Sequence, residues 1–197
     1  AHYALREGRV FPVLGRRGIT ISAVSGIDCA LWNILGKSLG VPVWRLLGGA
    51  QNPVQAYITF GLKQYEKDQL VEVAKQLVER GETRLKMVVA VDPEKPKLDA
   101  ERVRAVREAV GDEVELMIDA NYLFSFNRAL ELCKLVEPYG ITWFEEPVYQ
   151  NDSCLLAELR RHTSIPIAAG QNEGHRFRHR ELIVNRAVDI VQPNVCS

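Results

Sequence analysis

Short apolar runs alternate with amphipathic helical segments from residue 54 to the end of the chain. This alternation constrains the fold more than any other feature, because it is typical of parallel strands joined by crossover helices. Six runs predict strands at 54–60, 83–91, 114–120, 141–144, 165–169 and 188–191. Five helices are predicted between them, at 64–80, 98–110, 126–137, 153–161 and 179–185. The fold class is therefore α/β.

Six consecutive units fit either an open doubly wound sheet or a barrel. The turn after the first run, residues 60–63, lacks the GxGxxG motif with which a doubly wound fold binds pyrophosphate. We therefore predict a TIM-type barrel, with strands 1 to 6 in residues 53–197. A full barrel needs eight strands and about 250 residues, so we expect this chain to be incomplete.

The residues before the first run have a helical pattern instead. Apolar residues recur at i, i+3, i+4 and i+7 from a start near Ser22 or Ser25, and Gly40 ends the pattern. A second short helix is predicted at 43–47, and 50–53 reads as a linker. A separate helical segment therefore precedes the barrel.

The composition is that of an ordinary globular protein and narrows the choice of partners. The 25 Lys and Arg residues balance 25 Asp and Glu, which gives no electrostatic reason to expect nucleic acid or a membrane surface. No apolar stretch approaches the roughly 20 residues of a membrane-spanning helix. Without a signal-peptide pattern or a CxxC pair, we expect reduced thiols in a cytoplasmic protein; the cysteines are Cys29, Cys133, Cys154 and Cys196.

Oxygen-bearing side chains stand at the ends of the third, fourth and fifth runs. Asp119, Glu145 and Gln171 are 26 residues apart in each step, one β/α unit each time. Barrel active sites lie at the carboxyl ends of the strands, so these side chains should share one rim. Oxygen ligands from separate elements are what Mg²⁺ prefers. The structural alternative for Asp119, a helix cap, is less favoured because Ser125 is the better cap.

Arg84 and Lys86 in the second run are two residues apart and should point to the same side of the strand. A lysine near a cation and partly removed from water has a lowered pKa, as a general base requires. Arg84 could then hold a substrate carboxylate. The alternatives are that Lys86 only extends to the rim and that Gln171, taken alone, is structural. His175 and His179 are expected in a loop or helix, with substrate contact as the alternative.

At these residues the sequence resembles the enolase superfamily, in its mandelate racemase and muconate lactonizing enzyme branch. Arg84-Leu-Lys86 resembles that family's KxK strand. Three segments resemble its successive metal-ligand motifs: Asp119-Ala-Asn121, Trp143-Phe-Glu145-Glu146-Pro and Ala169-Gly-Gln171-Asn-Glu173. Residues 1–52 resemble the last helices of its capping domain, which implies a (β/α)7β barrel after them.

The resemblance implies abstraction of the proton α to a carboxylate, with Mg²⁺ stabilising the product of that step. It makes Lys86 the base, has Arg84 hold the carboxylate or tune Lys86, and makes Asp119, Glu145 and Gln171 the metal ligands. Substrate-binding or supporting residues are implied at Asn121, Glu146, Glu173, His175 and Asn194. A small carboxylate substrate and a homo-oligomer are also implied.

Three positions depart from the family pattern, and Arg84 in place of the usual first Lys is the mildest of these changes. The third ligand is usually Glu, whereas Gln171 offers a neutral carbonyl oxygen, as in some acid-sugar dehydratases of the superfamily. Asn194 stands where members with a His-Asp dyad have Asp. The leading hypothesis is therefore a Mg²⁺-dependent acid-sugar or hydroxy-acid dehydratase, a lyase. The rivals are a racemase or epimerase, and a catalytically silent relative or fragment.

Overall fold

The computed structural model describes residues 18–49 and 53–194, which fall into two compact units. One unit comprises Ala56–Gly170 and Arg180–Gln192 and contains the β-sheet. The other comprises the described residues up to Gln55 with Gln171–His179 and residues 193–194. The predicted domain division at residues 52 and 53 stays a prediction.

The helices and strands follow one another along the described chain in the order expected. They are α1 (Gly18–Leu39), α2 (Val43–Leu46), β1 (Ile58–Phe60), α3 (Lys67–Glu79), β2 (Arg84–Val88), α4 (Pro96–Val110), β3 (Glu115–Asp119), α5 (Phe126–Val136), β4 (Ile141–Glu145), α6 (Ser153–Arg160), β5 (Ile167–Ala169), α7 (His175–Val184) and β6 (Ile190–Val191). Short 3-10 turns cover Glu137–Tyr139 and Tyr149–Asn151.

Every strand pairs in parallel with the next strand along the chain, in the order β1-β2-β3-β4-β5-β6. A doubly wound sheet would change direction at a switch point. This order does not change direction, so the sheet is of the barrel type. The predicted α/β class, the six strands and the five crossover helices are thereby confirmed.

Several element boundaries differ from those predicted. α1 begins at Gly18, and α7 begins at His175, four residues before its predicted start. α4 begins at Pro96 because proline fits the first helical position, where no N–H is needed. β1 is shorter than predicted, since its ladder with β2 covers only Ile58–Phe60. The predicted linker falls largely outside the described residues.

Helix caps follow the local sequence. Ser125 caps α5, its Oγ accepting a hydrogen bond from the Arg128 N–H at 3.4 Å, as predicted. Asp152 caps α6 by accepting from the N–H groups of Cys154 and Leu155. Because Ser125 provides the cap of α5, Asp119 is free for another role.

Alternation along the strands gives the sheet two different faces. One face packs against the helices, and its fully buried side chains include Leu85, Met87, Leu116, Ile118 and Phe144. Side chains of adjacent strand residues point to opposite faces. The other face therefore carries Lys86 on β2, Asp119 on β3 and Glu145 on β4.

None of the helices in residues 18–49 and 53–194 combines the length and the apolar character that crossing a bilayer requires. Cys29, Cys133 and Cys154 are free thiols, and Cys196 lies outside the described residues.

Candidate metal centre

Strand register places two carboxylates side by side. β3 and β4 pair Asp119 with Glu145, each the last residue of its strand. Both are buried, at 6% and 1% exposure. β2 brings the apolar Val88 into the same layer, opposite Asp119. The acidic pair therefore lies at the carboxyl ends of β3 and β4, where the sequence predicts it.

Lys86 lies one layer deeper and reaches both carboxylates. Its Nζ donates to Glu145 Oε2 at 2.8 Å and lies 3.1 Å from Asp119 Oδ2. The same Nζ is 5.1 Å from the centroid of the Tyr57 ring, which packs edge-on against Trp143. Only 3% of Lys86 is exposed. The ammonium is thus enclosed by two acids and an aromatic ring.

The charges of these groups are mutually dependent. Burial alone would lower the pKa of Lys86, but the hydrogen bond to Glu145 and the charges of both carboxylates outweigh it and raise the pKa. The pKa of Asp119 is also raised, by burial and by the charge of Glu145, against the opposing effect of Lys86. In this structure Lys86 therefore holds its proton and serves as the counter-cation of the pair.

The second oxygen of each carboxylate faces a different environment. Asp119 Oδ1 accepts from the Asn121 N–H at 2.9 Å, so Asn121 contributes through its backbone. Glu145 Oε2 accepts hydrogen bonds from two side chains, Lys86 Nζ and Gln192 Nε2, each at 2.8 Å. Both of these hydrogen bonds fall on Oε2, and within residues 18–49 and 53–194 no side chain donates to the other oxygen, Oε1.

Gln192, which follows β6 directly, is a contact that the sequence analysis missed. It meets the criterion that selected Asp119 and Glu145, a polar side chain at the end of a buried strand. After the sixth run, the family resemblance points to Asn194, two residues beyond Gln192.

Glu146 has structural contacts of its own. It is 1% exposed and accepts from Asn151 Nδ2 at 2.9 Å. Its N–H donates to the Ala168 carbonyl at 2.8 Å, which ties β4 to β5. Burying Glu146 is therefore compensated by hydrogen bonding. Its predicted role near substrate stays a prediction.

Left-handed backbone follows three neighbouring strands. Ala90 after β2, Asn121 and Tyr122 after β3, and Glu146 after β4 have φ between 44° and 58°. Non-glycine residues adopt this conformation at a cost of about 1–3 kcal/mol each, and such residues concentrate at functional sites. The sequence does not predict left-handed backbone at Ala90, Tyr122 or Glu146, because among these four residues only Asn121 is of a type that favours it. They mark the same rim as the acidic pair.

Arg84 does not share the environment of Lys86. It is the first residue of β2, and its guanidinium lies 2.6 Å from Glu115 Oε1, at the amino ends of β2 and β3. Its side chain is 28% exposed. The contacts of Arg84 thus support a strand-end ion pair, and its predicted role as carboxylate clamp stays a prediction.

The remaining predicted site residues belong to the other compact unit. Gln171 and Asn194 are exposed there. Glu173 is 6% exposed and accepts from Arg178 Nε at 2.8 Å. The side chain of His175 lies outside the described residues, although its backbone begins α7. Their predicted roles at the metal and substrate stay predictions.

Asp119 and Glu145 suit a hard divalent cation in number and kind of donor. Mg²⁺ is commonly bound through one or two carboxylates, with waters completing the octahedron. Within residues 18–49 and 53–194, no group of three His, Cys, Asp or Glu side chains gathers around a single point. The case for a metal ion therefore rests on this carboxylate pair. The pair already binds one positively charged group, the ammonium of Lys86.

Two family descriptions match the sequence. Residues 69–197 match the enolase C-terminal domain-like family, and residues 6–48 match the N-terminal domain of the mandelate racemase / muconate lactonizing enzyme family. An arabinonate dehydratase from Saccharolobus solfataricus is 39% identical over 92% of this chain and 48% of its own length. The chain spans about half the length of the curated relatives it matches.

Solved structures resemble the fold over nearly the whole chain. The 3,6-anhydro-D-galactonate cycloisomerase from Zobellia galactanivorans has a TM-score of 0.88 and 36% identity, covering 100% of this chain and 54% of its own. An L-talarate dehydratase from Polaromonas, crystallised with Mg and L-glucarate, has a TM-score of 0.85 and 33% identity, covering 98% and 50%.

Proposed function

We propose, on the premise that this chain belongs to the mandelate racemase and muconate lactonizing enzyme branch of the enolase superfamily, that it supplies the metal-binding half of an acid-sugar or hydroxy-acid dehydratase. The observation that carries the proposal is the buried pair Asp119 and Glu145, in register at the carboxyl ends of β3 and β4. The substrate class is supported by relatives named as dehydratases of arabinonate, galactarate and galactonate.

Asp119 and Glu145 would hold the Mg²⁺, with Gln171 as the third ligand implied by family resemblance. Bound there, the ion would stabilise the negative charge that develops when the proton α to a carboxylate is removed. The chain's own contribution is to keep two carboxylate ligands fixed and nearly free of solvent. Dehydration then removes the proton from C2 and the hydroxyl from C3, giving a 2-oxo-3-deoxy acid and one water.

Lys86 has two roles in this proposal. In the structure its ammonium pairs with both carboxylates and compensates their negative charge inside the sheet. As the proposed base it must give up its proton, and the added positive charge of a divalent cation on the same carboxylates favours that loss. The base role therefore belongs to the metal-bound site.

Cycloisomerisation is the second candidate, because a relative of this chain is a D-galactarolactone cycloisomerase and a structural neighbour is an anhydro-galactonate cycloisomerase. Both reactions can begin with the same proton abstraction. They differ in whether a hydroxyl leaves, so product analysis separates them. A racemase would return the proton to C2 without loss of water.

The test is incubation of the purified chain with Mg²⁺ and a panel of aldonates and aldarates in D₂O, followed by NMR. The proposal expects a 2-oxo-3-deoxy product from at least one acid sugar and none from Asp119→Asn. Deuterium at C2 of recovered substrate without dehydration would favour a racemase. The absence of both product and exchange across the panel, with Mg²⁺ bound, would contradict the proposal.

A further inference from the structure

We propose that Gln192 is a positioning residue that fixes which oxygen of Glu145 faces the metal. This inference rests on the proposed function, because it assumes a divalent cation at Asp119 and Glu145. Gln192 Nε2 donates to Glu145 Oε2 at 2.8 Å, and Lys86 Nζ donates to the same oxygen at 2.8 Å. Two donors on one oxygen leave Oε1 as the oxygen available to the ion.

The orientation of the Gln192 amide follows from its neighbour. Gln192 Nε2 donates to Glu145, so the NH₂ group of the amide faces the carboxylate and its carbonyl oxygen faces away. That carbonyl oxygen, Oε1, is buried without a hydrogen-bond partner. An unsatisfied buried acceptor is unfavourable. The donor contact to Glu145 therefore determines how this side chain sits.

The backbone around Gln192 is held by β5. Its N–H donates to the Ala169 carbonyl at 3.0 Å. A Cβ placed on Gly170 would lie 3.2 Å from both the N and the O of Gln192, so the strands approach closely at this point. This close packing places the amide within reach of Glu145, two strands away in the sheet order.

Partners that orient metal ligands are tested by their effect on metal affinity. Removing one commonly weakens metal binding about 10- to 100-fold. Gln192→Met keeps the length of the side chain but removes the donor, so we expect its Kd for Mg²⁺ to rise about 10-fold or more. The measurement is calorimetry with Mg²⁺ alone on the purified chain.

Gln76→Met is the matched control. Gln76 Nε2 also donates to a glutamate, Glu72 Oε1, at 2.9 Å, but on the exposed surface of α3. We expect this variant to bind Mg²⁺ with the wild-type Kd. Circular dichroism and urea unfolding in EDTA establish that each variant is more than about 90% folded, a level at which unfolding cannot produce a 10-fold change.

A second background separates positioning from a merely structural effect. Glu145→Asp keeps the charge but draws the carboxylate one methylene back from Gln192. In that background, Gln192→Met should change the Kd less than about twofold, because the contact is already lost.

The outcomes distinguish this inference from the proposed function. Wild-type chain that binds no Mg²⁺ would remove the metal site itself. Wild-type binding with an unchanged Kd for folded Gln192→Met would overturn the positioning role alone. An equal loss of affinity in the wild-type and Glu145→Asp backgrounds would also overturn it, since Gln192 would then act independently of Glu145.

Discussion

Asp119 and Glu145 place like charges next to each other in the protein interior, and Lys86 compensates both. Removing one member of a buried charged group leaves the others uncompensated, which typically costs about 3–5 kcal/mol. At the residue scale, the stability of the metal-free site should therefore depend on Lys86.

Lys86→Met is expected to lower the free energy of unfolding by about 3 kcal/mol or more in EDTA, measured by urea denaturation. Saturating Mg²⁺ should recover part of this loss, because the ion takes over the role of the ammonium. Lys95→Met is the control: Lys95 pairs with Asp92 on the surface, and such pairs contribute about 0–1 kcal/mol. Equal effects of the two substitutions would contradict the role of Lys86.

Cys133 should be chemically inert in the folded chain. It is fully buried in α5, and burial raises the pKa of its thiol to about 12. Maleimide labelling at neutral pH should modify the exposed Cys29 and Cys154 and leave Cys133 unmodified until denaturant is added. Labelling of Cys133 as fast as the exposed thiols would contradict the packing of α5.

The sequence located the acidic pair at the residue scale but not its contacts. Asp119 and Glu145 are recognisable in the sequence because burying a carboxylate at the end of an apolar run costs free energy unless it has a partner. The separation of Arg84 from Lys86 could not be foreseen from alternation, because residues on one side of a strand still differ in depth. The ion pair of Arg84 with Glu115 depends on the register of β2 with β3.

At the element scale, the first turn of α4 is linked to the loop after β2. Asp99 is 0% exposed and accepts from the Val91 N–H at 3.3 Å. Burial raises the pKa of Asp99 to about 6, above the ordinary aspartate value of 3.8. A carboxyl whose pKa is raised on folding contributes stability below its unfolded pKa, and this stability is lost as the pH rises through 6.

Asp99→Asn should remove this pH dependence. Between about pH 4 and pH 7, the difference in unfolding free energy between the variant and wild type should shift in favour of Asn by about 2–3 kcal/mol. Asp92→Asn is the control: Lys95 lowers the pKa of Asp92, so its difference from wild type should stay nearly constant between about pH 4 and pH 7 and change, with the opposite sign, only below about pH 4. Parallel pH profiles for Asp99→Asn and wild type would contradict the buried, protonatable Asp99.

Gly170 joins β5 to the following segment at φ 133°, against the backbone of Gln192. Gly170→Ala should destabilise the chain more than Gly81→Ala, because Gly81, at φ 92°, has nothing within 4 Å of a Cβ. Both glycines have a positive φ, which costs a residue with a Cβ about 1–3 kcal/mol, and only Gly170 also approaches the backbone of Gln192. Urea unfolding measures the difference, and equal losses would contradict the close approach of β5 and β6.

The order of elements was predictable, whereas several of their ends were not. Period-2 and period-3.6 patterns indicate strands and helices reliably when the runs are long and apolar. β1 is shorter than its apolar run because only Ile58–Phe60 pair with β2, and a run's own residues do not say which of them will pair. α4 started early because Pro96 is a favourable first residue, a signal that the sequence does contain.

At the scale of the whole molecule, the sheet order explains why residues 26 apart can act together. Each β/α unit returns the chain to the same edge of the sheet, so successive strand ends meet there. This edge gathers Asp119, Glu145 and Gln192 with left-handed backbone after β2, β3 and β4. Substrate choice was not predictable, because the pattern of strands does not identify the other residues that would contact a substrate.

The central claim is that Asp119 and Glu145 form a divalent-metal site. Calorimetry of the purified chain with Mg²⁺, beside Asp119→Ala and Glu145→Ala, tests it most directly. The account predicts saturable binding by the wild-type chain and its loss in both folded variants. No binding by the wild-type chain at millimolar Mg²⁺, or binding that survives both substitutions, would contradict it.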